Sequence, residues 1–152
     1  MLVNKMSIDK RDFHASGPIV RPDCSIVLIR DMRRLDPHWK FAGGKKQLVK
    51  SFGKKLRGET PIECYFREGY EETGLQLKKR ETEYVTTEDL ETHNKHYFIS
   101  FMGNQKEPNP ISKEYEEAKS FTLNELKWLS NFHRNYQAVF YEHMLPLIEM
   151  RF

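Results

Sequence analysis

Residues 53–75 read GKKLRGETPIECYFREGYEETGL, and the second half of this stretch carries a helix with both ends marked. Thr60 can cap it, Pro61 takes the first helical position, and Glu63 stands three residues after the cap, the spacing of a capping box. Gly74, after Thr73, can enter the left-handed conformation that stops a helix. A helix over 61–73 places Glu68, Glu71 and Glu72 at i, i+3 and i+4, so three carboxylates share one face. Like charges at that spacing destabilise a helix by roughly 0.2–0.5 kcal/mol per pair. A hard divalent cation among the oxygens removes the repulsion, because Mg²⁺ and Mn²⁺ favour carboxylate and water ligands. Arg67 is placed to pair with Glu63 or Glu71, four residues away on either side. Taken alone, the triplet reads as an ordinary solvated face. The residues before it decide otherwise.

Glu59 lies eight positions before Arg67, and Gly53 six before that. The chain therefore carries Gly-x5-Glu-x7-Arg-Glu-U-x-Glu-Glu-x-Gly-U, where U is a bulky apolar residue. This pattern resembles the Nudix box, the signature of the Nudix hydrolases. Its fixed positions are met by Gly53, Glu59, Arg67, Glu68, Glu71, Glu72 and Gly74, with Leu75 as the final U. Trp39–Gly44 and Phe121–Leu126 look like the parts that commonly flank the box in this family. There are two departures. Gly69 stands at the first U position, and the pair Gly43-Gly44 lies nine residues upstream of Gly53, as though a basic segment had been inserted. Either Gly53 or Gly44 could supply the backbone carbonyl that approaches a metal; the spacing favours Gly53.

The resemblance implies an α+β fold: a Nudix-like α/β/α sandwich with a mixed central sheet, a catalytic loop-helix-loop and a C-terminal helix. It implies hydrolysis of a diphosphate linkage in a nucleoside diphosphate derivative, such as a nucleotide sugar, ADP-ribose or a dinucleoside polyphosphate. Glu68, Glu71 and Glu72 would hold one to three Mg²⁺ ions (Mn²⁺ able to substitute), Glu59 would support the site, and Arg67 would orient Glu68. A nucleoside triphosphate pyrophosphohydrolase, or a nucleotide-binding regulator without hydrolysis, are the alternatives. Relatives often place a further acidic residue on a loop after the box. Glu114, Glu116 and Glu117 are the candidates for that general base, with Glu117 preferred for its place before the Phe121 strand.

Composition frames this reading. A chain of 152 residues with 38% hydrophobic content suits one domain, 1–152, with an ordinary core. A net charge of +3 is too small to announce a nucleic-acid binder. The resemblance implies a small-molecule nucleotide as the partner, with an RNA 5′ end the less favoured one. Cys24 and Cys64 fall in no metal-ligand spacing and read as buried free thiols. Neither a signal peptide nor a membrane span is expected, so the expected address is the cytoplasm, as monomer or homodimer.

The remaining elements are coarser. Ser25–Ile29 reads as a buried strand, and Trp39–Phe41 as a strand stopping at Ala42-Gly43-Gly44. Tyr84–Thr87 and Tyr97–Phe101 read as two more strands, and 131–149 as an amphipathic helix that Pro146 kinks or interrupts. Lys45 and the cations of 45–57 form either a solvated insertion or a rim that attracts phosphates. Gly44 and Lys45 are thus candidate substrate contacts, as is Trp39, which with Phe41, Tyr84 or Tyr97 could stack a base. His93 and His96 are expected to point to opposite faces of a strand rather than share a metal.

Overall fold

Alternation along one central strand decides how the layers stack. The structure is a computed structural model describing residues 12–50, 56–111 and 115–152. In the strand Asn94–Phe101, Tyr97, Ile99 and Phe101 join a large apolar cluster with Val139, Phe140, Met144 and Ile148 from the end of the chain. Phe98 turns the other way, to Phe13, Ala15, Ile62 and Tyr65. A period of two thus gives the sheet two buried faces, one for the box helix and one for the C-terminal helices.

In chain order the elements are β1 (Phe13–Gly17), β2 (Ile19–Val20), β3 (Ile26–Asp31), β4 (Ala42–Lys45), β5 (Leu48–Lys50) and β6 (Leu56–Gly58). Helix α1 (Pro61–Thr73) follows, then β7 (Thr82–Asp89), β8 (Asn94–Phe101), β9 (Glu116–Phe121), α2 (Leu123–Lys127), α3 (Arg134–Val139) and α4 (Leu145–Arg151). The main sheet runs β4-β1-β8-β2-β3-β9, with β7 also paired to β8. It is mixed: β1 and β2 lie parallel to β8, and the other pairings are antiparallel. β5 and β6 form a separate antiparallel pair within the basic segment.

α1 spans 61–73 as expected, with Thr60 and Glu63 closing the capping box and Gly74 at φ 70°. Gly69 is explained by its neighbour: an added Cβ would stand 3.0 Å from Leu77 Cδ1, so the missing side chain admits Leu77 against the helix. One expectation changes. The Gly43-Gly44 pair lies inside a strand, because β4 runs through it against β1 with Ser16↔Gly43 and Ala15↔Gly44 in register. Near Pro146 the regular helix is interrupted by a wider turn, in line with the sequence. Proline cannot donate to the carbonyl four residues back, and over Phe140–Met144 the chain adopts a π turn, with Leu145 N donating to Phe140 O. β1 and β2 went unread in the sequence, since Gly17-Pro18 breaks the apolar run between them. Cys64 is buried and Cys24 half-buried, both as free thiols.

Candidate active site

The site is built around one guanidinium. Arg67 Nε donates to Glu59 Oε2 at 2.8 Å and Nη2 to Glu59 Oε1 at 3.0 Å, a two-point grip on a carboxylate only 1% exposed. Nη1 donates to Glu68 Oε1 at 2.9 Å and reaches Glu71 Oε2 at 3.4 Å. Nη2 also meets the carbonyl of Lys45 at 3.0 Å. Burial works against the charge on Arg67, but the hydrogen bonds to Glu59 and Glu68 outweigh it and hold the pKa above the ordinary value. Glu63, the other sequence candidate for Arg67, belongs instead to Arg57, at 2.7 and 2.8 Å.

β4 supplies the opposite wall. Gly43 N donates to Glu72 Oε1 at 2.7 Å, and Cys64 Sγ donates to Gly44 O at 3.4 Å. A Cβ on Gly44 would lie 2.6 Å from Glu68 Cδ, so only glycine lets the strand approach this carboxylate. Burial pushes the Cys64 thiol up to about 12, which leaves it a neutral donor. Glu59, Glu68 and Glu71 thus gather on Arg67, with Glu72 held by the Gly43 amide, and all but Glu71 are buried.

Among the described residues, no three His, Cys, Asp or Glu side chains close on one point at metal-binding distance. The donor chemistry nonetheless fits a hard cation: several carboxylate oxygens lie beside backbone made accessible by glycine. Gly53 and Glu114 lie outside the described residues.

Two of the sequence candidates go elsewhere. Trp39 is 4% exposed and packed edge-on to Phe121 at 4.8 Å, with Arg30 over its ring at 4.5 Å, so no face is left for a base. Phe41 and Tyr97 are likewise buried. Glu117 receives Arg30 Nε and Nη2 at 2.9 and 2.8 Å on the Trp39 face of the sheet, opposite to the α1 face. Strand alternation turns Glu116, across from Asp31, toward the α1 side instead. His96 lies inside β8 and is buried against Thr87, whereas His93 precedes the strand instead of sharing it and lies beside His14 with ring centroids 4.9 Å apart.

The family model for the NUDIX domain matches residues 10–144. The chain belongs to the Nudix family. With that membership goes the family's enzyme class, pyrophosphohydrolase. Among solved structures, a Nudix-family hydrolase from Clostridium perfringens shares 18% identity at a TM-score of 0.67, covering 93% of this chain and 99% of that one. A MutT from a study of Aliivibrio salmonicida and Vibrio cholerae shares 18% at 0.66, covering 94% and 100%. An Ap4A hydrolase from C. elegans shares 14% at 0.60, covering 91% and 99%. At these identities the structural likeness speaks for the Nudix fold. No match was found among curated proteins.

Sequence reading missed a cavity lined in part by residues of β1 and β8. It encloses about 390 Å³ between the start of β1, the segment before β4, β8 and the start of α3. His14, Arg34, His38, Lys40, Lys95, His133 and Tyr136 line it, with Asp31 and Asn135. These residues come from four separated segments, so no local spacing could have announced them. Burial, then His93 and the lysines 95, 45 and 40, push His14 down to about 4. The Tyr136 phenol is raised by burial and lies within electrostatic reach of Lys40 and Glu72, which ties the cavity to the box.

Proposed function

We propose that this protein hydrolyses the diphosphate linkage of a nucleoside diphosphate derivative, with Mg²⁺, or Mn²⁺ in its place, held by Glu68, Glu71 and Glu72. The observation that carries this reading is the gathering of carboxylates on Arg67 and the Gly43 amide, beside the backbone of Gly43–Lys45. Divalent ions there would neutralise the substrate's phosphate oxygens and acidify a bound water.

The chain's own residues supply the rest. Arg67, anchored on Glu59, fixes the orientation of Glu68, and the Gly43 amide fixes that of Glu72. Gly44 supplies the close backbone approach. The attacking water gives its proton to a carboxylate near the start of β9 as its oxygen bonds to one phosphorus. The bond to the bridging oxygen breaks, leaving two products that each carry a phosphate. Glu116 is favoured over Glu117 as that acceptor by its side of the sheet, and Glu114 stays a candidate on its place in the sequence. Free thiols suit a cytoplasmic setting.

The test incubates the protein and Mg²⁺ with nucleotide sugars, ADP-ribose, dinucleoside polyphosphates, nucleoside triphosphates and 5′-triphosphorylated RNA. Glu71→Gln serves as control. Hydrolysis of a diphosphate derivative that the variant loses is the expected result. Activity on triphosphates alone would replace the reading with a triphosphate pyrophosphohydrolase. Metal binding without turnover of any compound would favour a nucleotide-binding regulator.

A further inference from the structure

The cavity beside the box has a charge pattern that the hydrolysis of a two-phosphate linkage does not require. Lys40, Lys95 and, at the exposed rim, Arg34 all border it. Its one carboxylate, Asp31, is already taken by Arg33, at 3.0 Å from Nε and 2.8 Å from Nη2. Three cations therefore face a space of about 390 Å³ with little compensating negative charge in its lining. Glu88 bears on Lys95 from β7, but it also accepts the hydroxyl of Tyr97.

A nucleobase is poorly served here. Tyr136 is the only phenyl, phenol or indole ring among the described lining residues, and Lys95 Nζ already sits over it, 4.2 Å from the centroid. Two observations relate the cavity to the glutamates: Tyr136 in its lining lies within electrostatic reach of Glu72, and a backbone pairing runs between its wall and the site. His14 in its wall pairs in register with Lys45, whose carbonyl is held by Arg67.

We propose that this cavity grips additional phosphates of the substrate, so that the preferred substrate carries a run of three or more, held by Lys40 and Lys95 with Arg34 at the entrance. This rests on the hydrolase reading above and names its substrate class. A polyphosphate run is the ligand whose charge repeats often enough to engage all three cations while one of its linkages lies at the glutamates.

The test is binding, measured by calorimetry on protein kept metal-free with a chelator, using inorganic tripolyphosphate and pyrophosphate as probes. Tripolyphosphate should bind more tightly than pyrophosphate, and Lys40→Met and Lys95→Met should each weaken it by about tenfold or more, the scale of one charge-assisted hydrogen bond. Arg34→Gln, on an exposed side chain, should weaken it less and decides the matter if a lysine variant does not fold. Equal affinity for the two probes, or affinity unmoved in the folded variants, overturns the proposal. Lysine-dependent tripolyphosphate binding with no hydrolysis of any nucleotide would uphold the cavity's role and sink the hydrolase reading. Hydrolysis of ADP-ribose without tripolyphosphate binding would do the reverse.

Discussion

Gly44→Ala tests whether β4, rather than the spacing-favoured Gly53, approaches the carboxylate of Glu68. The added methyl would stand 2.6 Å from both Cδ and Oε1 of Glu68 and 3.0 Å from its Cγ. Comfortable carbon contacts lie near 3.5–4.0 Å, so the carboxylate must retreat by about 1 Å. The atoms it meets belong to the far end of a flexible side chain, so the fold should accommodate the change. Its cost is of the order of an overpacked site, about 1–3 kcal/mol, or roughly 2–4 °C of Tm per kcal/mol for a chain this long. Turnover should suffer far more. A displacement of about 1 Å in a catalytic group costs on the order of 100-fold, equivalent to about 2.7 kcal/mol of barrier.

The assay measures kcat, KM and Tm for the wild type, Gly44→Ala and Gly53→Ala on whichever panel substrate is cleaved. The expected pattern is kcat down about 100-fold for Gly44→Ala with the protein still folded, and a much smaller change for Gly53→Ala. If Gly44→Ala turns over within threefold of wild type (roughly 0.7 kcal/mol) while Gly53→Ala does not, the role assigned to β4 is wrong.

Glu59→Gln should destabilise by about 3–5 kcal/mol, because it strips a buried partner from Arg67, and thermal denaturation reads this directly. Glu71→Gln should instead leave Tm nearly unchanged while abolishing most turnover, since it loses only a half-buried 3.4 Å contact with Arg67. Trp39→Phe should lower Tm without moving KM, as expected of a core ring; a raised KM would restore the stacking role. Acid should act in two windows. His14, with its folded pKa lowered from 6.5 to about 4, takes up its proton more readily when unfolded, so its contribution is full above 6.5 and fades as pH falls toward 4. Glu63, lowered from 4.5 to about 2 by Arg57, contributes above 4.5 and is lost as pH falls toward 2. Tm measured against pH in His14→Gln should lose the first slope and keep the second.

The sequence disclosed those parts of the site that depend on one continuous segment. Thr60, Pro61, Glu63 and Gly74 marked the ends of α1, and helical spacing put Glu68, Glu71 and Glu72 on one face. What it hid depends on distant strands coming together. That Gly43-Gly44 would run inside an edge strand against α1 needed the β1–β4 register, and their distance from the box glycine pointed away from them. Glu117 looked well placed by its position before Phe121, but strand alternation turned it to the Arg30 side. Trp39 carried both a core and a ligand reading, and only its burial separates them. Lys40, Lys95 and Tyr136 had no shared signal at all, because β3, β8 and the α3 region meet only in the folded sheet.

One guanidinium explains why carboxylates can crowd here before any ion arrives. Glu59 holds Arg67 from below through two hydrogen bonds, and Arg67 extends its remaining donors to Glu68, Glu71 and the Lys45 carbonyl. These hydrogen bonds hold the cluster in place within the fold. Its members also divide by exposure: Glu59 and Glu68 are buried and closely bound to Arg67, whereas Glu71 is half-buried and only loosely held. That division implies separate costs for separate residues, stability at Glu59 and catalysis at Glu71. A site formed only as a solvated charged face would show neither, since its exposed pairs would each be worth about 0–1 kcal/mol and none would be essential.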